Sequence, residues 1–551
     1  MPKTEDNFLE NIKKQTFLHA ALILMVANLI VRGIGAVFKF PIYKILGSVG
    51  FANYQDAYTL YVIFFAISTA GLPVAISRMI SIANSNENHV EEKKIFRLAL
   101  ISFILVGAVG SIAMMIGAKA FSSFAANEDA YYSIIVLAPT LFFVCITSAY
   151  RGYFQGHQNM FPTAVSEIIE ALCKLFIGLA AAVYAINTFK NLDGTPRLDI
   201  ATAFAISGLT IGGAGGAFYL FIKKSLLKRK EEKVNPDIAV RNNKDILSEI
   251  IKISIPIMFT SSIANLAGLI DSFMMKRRLI AIGWESITAI EKYGEYAGMA
   301  VPFFNLPNTL VVAFAVSIIP VIAEAFSAKN TQYVKSTVES TFRVVSIIAM
   351  PCAFGLACMS KPILALIYSE RMDEVTATAP LLSILGVGVI FVSMMTITNS
   401  MLQAQRQERK TIISMACGMI VKAVSSYILI GIPAINRYGT PISTCLCYLT
   451  IMCMNFYFLA KYTKVVPPIR KTFLKPFMAG AVMSIGTILI YRLASYLLNG
   501  SVIALIPALV FAVGIYGVLV ILFKTLTKDD VLMLPKGAKL YDAMKKKKLI
   551  D

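Results

Sequence analysis

What constrains this chain most is a stretch that keeps recurring. It is an apolar run long enough to cross a bilayer, for which about 20 residues suffice. Roughly fourteen such runs follow one another, by that length criterion. They centre near Val26, Phe65, Val106, Phe142, Ile177, Gly208, Ala264, Val312, Ile348, Val389, Ile420, Cys447, Met483 and Val513. With 57% of its 551 residues hydrophobic, the chain has far more apolar surface than a soluble protein of this size can bury. In lipid every backbone group must find its partner within the protein. The expected fold is therefore an all-α integral membrane protein.

The charges fall between the spans. The formal net charge of +20 suggests nucleic acid at first sight. The basic residues, however, sit in loops, where retention on the cytoplasmic side and contact with anionic headgroups account for them. No nucleic-acid partner is expected. Basic segments containing Lys13 and Lys14, Lys93 and Lys94, Lys223 and Lys224, Arg406 and Arg409, and Lys461 and Arg470 alternate with neutral or acidic loops such as Glu128-Asp129. Alternation puts both termini in the cytoplasm. The run Lys545 to Lys548 suits the anionic inner leaflet. Acidic Glu5, Asp6 and Glu10 precede the first span, which has no small-residue cleavage site, so no cleavable signal peptide is expected. Eight cysteines, most of them within spans, have no metal-site spacing and read as small packing residues.

The chain also repeats. Ala75-Ile-Ser77 has a counterpart in Ala315-Val-Ser317, Gln155-Gly-His-Gln-Asn in Gln403-Ala-Gln-Arg-Gln, and Lys174 in Lys422. The first dozen or so spans thus form two parallel six-helix repeats, the arrangement in which a substrate cavity lies between halves that rock to give alternating access. The expected organisation is 1–222 and 246–465 for the halves, with a basic cytoplasmic linker over 223–245. Two C-terminal helices follow over 466–525, then a basic tail over 526–551.

Charges inside the spans are candidate functional groups, because a cation at mid-bilayer costs on the order of 3 kcal/mol. Arg32 and Lys39 lie seven residues apart, on one face of the first helix. Either they line a wet cavity that holds an anion, or Lys39 snorkels to the headgroups. Arg78, near the cytoplasmic end of the second span, also fits the positive-inside rule. The repeat sets Arg32 opposite Asp271 and Lys39 opposite Arg278. Arg277 and Arg278 break the charge rule on the outer side, and clustering with Lys39 at the outer mouth would explain that. Asp271 is a candidate for ion coupling or for a structural ion pair. Glu167, Glu170, Lys174 and Lys422 are further candidates for coupling or charge pairing. Glu170 and Lys174 have the four-residue spacing of a neutralising pair.

The residues also carry a resemblance. Arg32-x-x-Gly35, Ser68-Thr-Ala-Gly-Leu-Pro-Val-Ala-Ile-Ser-Arg78 and, most specifically, Arg151-Gly-Tyr-Phe-Gln-Gly-His-Gln-Asn-Met160 resemble the polysaccharide-transporter branch of the multidrug/oligosaccharidyl-lipid/polysaccharide exporter superfamily. Within it the chain is similar to the stage V sporulation protein B and YtgP group of Gram-positive bacteria, over nearly its whole length. The resemblance implies a fourteen-helix fold like that of the MATE and MurJ-like members, a cationic central cavity and a place in the plasma membrane. It also implies lipid II flippase activity, with cell-wall synthesis machinery as a candidate partner. In MurJ-like flippases arginines on helices one, two and eight meet the diphosphate. Arg32, Lys39 and Arg78 match or lie near the first two of these. Helix eight, with Tyr293-Gly-Glu295-Tyr-Ala-Gly298, has no arginine, so Arg277 and Arg278 stand as replacements.

The expected function is therefore translocation of an undecaprenyl-diphosphate-linked peptidoglycan precursor from the inner to the outer leaflet. A teichoic-acid, capsule or spore-cortex precursor is the alternative. No cofactor is expected. Without a Gly-Lys dipeptide there is no Walker A loop, so membrane potential or an ion gradient must drive transport. A drug/cation antiporter calls for an acidic, aromatic cavity, which the cationic first helix opposes. An enzyme calls for convergent carboxylates or a metal motif in the outer loops, and none is legible there.

Overall fold

The computed structural model describes residues 17–69, 71–226, 241–327, 331–465, 468, 470–498, 501–527 and 530. Most of the basic linker and tail, including Lys545 to Lys548, lies outside them, as do Lys13 and Lys14. The described chain is helical apart from turns and one isolated bridge, Lys190 to Pro196.

Two compact units divide at Phe273/Met274. The first contains α1 (Phe17–Thr69), α2 (Leu72–Ser85), α3 (His89–Phe124), α4 (Tyr131–Gly156), α5 (Phe161–Thr188), α6 (Leu198–Ser225) and most of α7 (Asn243–Ala281). The second contains the end of α7, then α8 (Ser286–Glu295), which runs through a π turn at Tyr296–Ala300 into α9 (Val301–Ser327). It continues with α10 (Thr331–Ile367), α11 (Met372–Ala404), α12 (Glu408–Ile430), α13 (Gly439–Thr463), α14 (Lys475–Leu497) and α15 (Leu505–Leu522). The sequence boundary at 223–245 is a break in hydropathy, whereas the packing boundary falls thirty or so residues later, inside a helix.

Twelve helical stretches are long and apolar enough to cross a membrane, among the described residues. One of them, Val26–Ser85, has 60 residues. At 1.5 Å per residue it is about 90 Å long, three times the hydrocarbon core, so it cannot be a single crossing. It breaks at Gly47, whose φ of 71° and ψ of −175° suit glycine alone. With that stretch counted twice and the 39-residue α7 added, the tally agrees with the expectation of about fourteen.

The first unit's core is built where α2, α3 and α4 meet α6 and α7. Ile76, Met79, Phe96, Phe103, Cys145, Phe154, Leu220 and Ile246 are buried together there. At the end that the charge rule assigns to the cytoplasm, buried Glu92 is within 3.1 Å of His157 and 3.3 Å of His89, joining α3 to α4. Arg241 donates to Glu91 and Glu249, tying the start of α7 to the first turn of α3. Asn88 caps that turn by accepting from the Glu91 N–H at 3.0 Å. At the other end of the unit, the fully buried Asp56 accepts from Asn127 at 2.7 Å and from Ser272 at 2.5 Å, which anchors α7 to α1. In the second unit Val311, Phe342, Met394, Ile397 and Leu459 knit α9, α10, α11 and α13 together. Met483 and Tyr516 join α14 to α15.

Candidate functional site

The first unit brings two cations into its interior from distant parts of the chain. Lys39 follows Phe38 on α1, and Lys174 reaches in from α5. The Lys174 ammonium lies 4.9 Å from the centre of the Phe38 ring and 5.0 Å from that of Tyr58. Each is a cation–π contact. Tyr58 is held in turn by a row of rings along α1, with Tyr54 stacked at 6.2 Å and Tyr61 at 6.1 Å. Lys39 is the next residue along α1 from the Phe38 ring that Lys174 meets. Both lysines are half-buried. Among the described residues neither has a carboxylate within ion-pair distance or a hydrogen-bond acceptor.

Glu170 is not the partner of Lys174, despite the four-residue spacing. It turns to Arg151 on α4, which donates to it at 2.7 Å, while Glu167 lies 3.8 Å from the same guanidinium. Arg151 also donates to the Ser166 hydroxyl at 3.0 Å. The reason is packing: α6 presents Gly216 to Glu170, and a Cβ there would stand 2.7 Å from the carboxylate oxygen. The guanidinium thus serves Glu170, Glu167 and Ser166 from three different nitrogens, a charge-assisted fork that an ammonium matches less well.

The other candidates each have their own surroundings. Arg32 and Arg78 are exposed, and Asp271 is half-buried beside Ser272. In the second unit Arg277 is exposed. Arg278 is committed to α12: its guanidinium stacks 4.1 Å from the Tyr427 ring, and its Nε donates to the Tyr427 carbonyl at 3.1 Å. A cation at the negative end of a helix dipole is favourable, which gives a local structural reason for the charge at Arg278. Lys422 is 1% exposed and donates to Thr444 at 2.7 Å. Its repeat counterpart Lys174 keeps company with rings instead. Lys276, also buried, lies 5.0 Å from the centre of the Tyr293 ring. No group of three or more His, Cys, Asp or Glu able to hold a metal occurs among the described residues.

Three residues that the sequence reading did not single out as site residues make key contacts in the first unit: Arg151, Asp56 and Tyr58. The signal available for the first two was a charge inside an apolar helix. For Tyr58 there was only the density of aromatics between 51 and 65.

The geometry agrees with what comparison with known proteins finds. A family model described as polysaccharide biosynthesis protein matches residues 17–326, and a second, MatE, matches 256–428. The first covers more than half of the chain, which therefore belongs to the polysaccharide biosynthesis protein family, in the MurJ-like branch of the exporter superfamily anticipated above. Lipid II flippase MurJ of Bacillus subtilis (strain 168) is 24% identical over 458 residues, covering 81% of this chain and 82% of that one. Stage V sporulation protein B of the same organism is 26% identical over 336 residues, covering 60% and 62%. A solved structure of lipid II flippase MurJ in an inward closed conformation shares the fold. Its TM-score is 0.69 at 15% identity, over 91% of this chain and 98% of that one.

Proposed function

We propose that this protein is a flippase for a polyprenyl-diphosphate-linked cell-wall glycan, and specifically for lipid II. The observation that carries the reading is on α1. Arg32 and Lys39 stand on one face of a membrane-spanning helix, and neither has a carboxylate partner among the described residues. A helix face that keeps two cations unneutralised suits an anionic cargo and repels a cationic drug. The similarity to lipid II flippase MurJ, which extends over most of both chains, supports the same cargo. Arg32 and Lys39, with Arg78 at the cytoplasmic end, meet the diphosphate, while the lipid tail stays in the bilayer. Transport runs by alternating access, with both termini in the cytoplasm of a Gram-positive-type cell. An inside-negative potential favours outward movement of anions by about 2.3 kcal/mol per charge per 100 mV, and an ion gradient is the other source of drive. The protein acts as a transporter rather than as an enzyme.

The test is lipid II sidedness in cells depleted of this protein and of any redundant flippase. Re-expressed wild-type chain restores outer-leaflet lipid II, and Arg32→Gln, folded and inserted, does not. If the wild-type chain fails as well, lipid II is not the cargo. Teichoic-acid, capsule and spore-cortex precursors, which share the diphosphate handle, then come next.

A further inference from the structure

We propose that Lys39 and Lys174, together with the ring faces of Phe38 and Tyr58, form a diphosphate-ester subsite within the first unit, with Lys174 its determining residue. This rests on the flippase reading and assigns it a contact on α5 that the first-helix cations do not supply.

Lys174 is placed with care. Rings from two separate turns of α1 flank its ammonium, at 4.9 and 5.0 Å, and thereby fix its direction. A cation–π contact stabilises the charge but satisfies no N–H donor. Arg151 takes up the nearby carboxylates, Glu170 at 2.7 Å and Glu167 at 3.8 Å, so the acids that would have neutralised Lys174 are engaged elsewhere. Lys39 adds a second ammonium from the residue next to Phe38, one of the two rings that flank Lys174. Two neighbouring ammonium groups without an acceptor, inside a membrane-spanning bundle, repel each other until an anion joins them. Between them they offer six N–H donors, suited to the many oxygens of a diphosphate. Both are half-buried, so a ligand can reach them. The shared chemistry is a diphosphate, whether it arrives on a lipid or free.

The test measures binding to the purified full-length chain in phosphatidylcholine nanodiscs, with geranylgeranyl diphosphate, inorganic pyrophosphate and geranylgeraniol as probes. Wild-type protein binds the diphosphates and discriminates against the alcohol. Lys174→Gln and Lys39→Gln each weaken diphosphate binding by about tenfold or more, and Lys174→Arg retains most of it. Tighter binding of the lipid than of pyrophosphate identifies the headgroup as the source, and equal binding identifies free diphosphate. If the folded double variant Lys39→Gln/Lys174→Gln binds like wild type, this subsite is wrong, and the flippase reading stands on Arg32 and Arg78 without Lys39. If wild-type protein binds neither diphosphate, both fall. Should the variants not fold, reductive methylation of the wild-type chain decides. Pyrophosphate protects Lys39 and Lys174 from the reagent if the subsite exists, and unchanged labelling of both overturns it.

Discussion

Arg151 and Glu170 lie 2.7 Å apart on neighbouring helices of the first unit, and Gly216 on a third helix leaves the space that their contact needs. Both side chains are largely withdrawn from the surface, so removing one partner strands the other. Arg151→Ala is expected to destabilise the unit by up to about 3–5 kcal/mol, the range for breaking a buried pair. Gly216→Ala should lower the melting temperature through the same pair by pushing on the carboxylate. Thermal unfolding of the purified variants in detergent checks both. A Gly216→Ala melt equal to wild type would show that Glu170 can move aside at no cost.

Gly47 carries the one left-handed turn in the middle of α1. Gly47→Ala forces a side chain into a conformation that costs of order 1–3 kcal/mol. Gly33→Ala serves as the control, since nothing lies within 4 Å of an added Cβ there. The expected result is a lowered melting temperature for the first variant and an unchanged one for the second.

Asp56 holds Asn127 and Ser272 at once, at 2.7 and 2.5 Å. Asp56→Ala should release α7 locally without unfolding the unit. Hydrogen exchange read by mass spectrometry would show faster exchange in peptides around Ser272 and unchanged exchange around Phe103 in the core. Uniformly faster exchange would mean that Asp56 supports the whole unit instead.

Arg343 on α10 lies 2.8 Å from Asp530, beyond the end of α15, and both are buried. Arg343→Ala leaves that buried carboxylate without its cation, with the Thr527 N–H at 2.7 Å still donating to it, and the expected loss is about 3–5 kcal/mol. A double replacement, Arg343→Met with Asp530→Leu, should recover most of the loss, because a well-packed apolar pair of similar volume is often as stable as the ion pair. A double variant no more stable than Arg343→Ala would locate the loss in the packing of the Arg343 side chain rather than in its charge.

Fold class and helix count were legible because a bilayer demands long apolar runs, and those survive without any knowledge of tertiary contacts. The cations of α1 were legible for the same reason, since a charge stands out against an apolar helix. Their partners were not. The spacing of Glu170 and Lys174 favours a local pair, but Glu170 takes an arginine 19 residues away on the preceding helix. Arg278 is engaged 149 residues along the chain, at Tyr427. The rings around Lys174 come from α1, more than a hundred residues earlier. Periodicity reports which face of a helix a residue occupies and not which helix faces it, so every one of these choices was settled by packing.

The manner in which α7 is shared between the units bears on how the polypeptide could be divided. The part of α7 up to Phe273 belongs with the helices before it, tied to α3 through Arg241 and to α1 through Ser272, although it follows the basic linker in the chain. A backbone severed between 226 and 241 would therefore still be tied across the cut by a non-covalent graft. Two co-expressed fragments should reassemble into a working transporter, and the peptide bonds of that connection would prove dispensable once both pieces had entered the membrane.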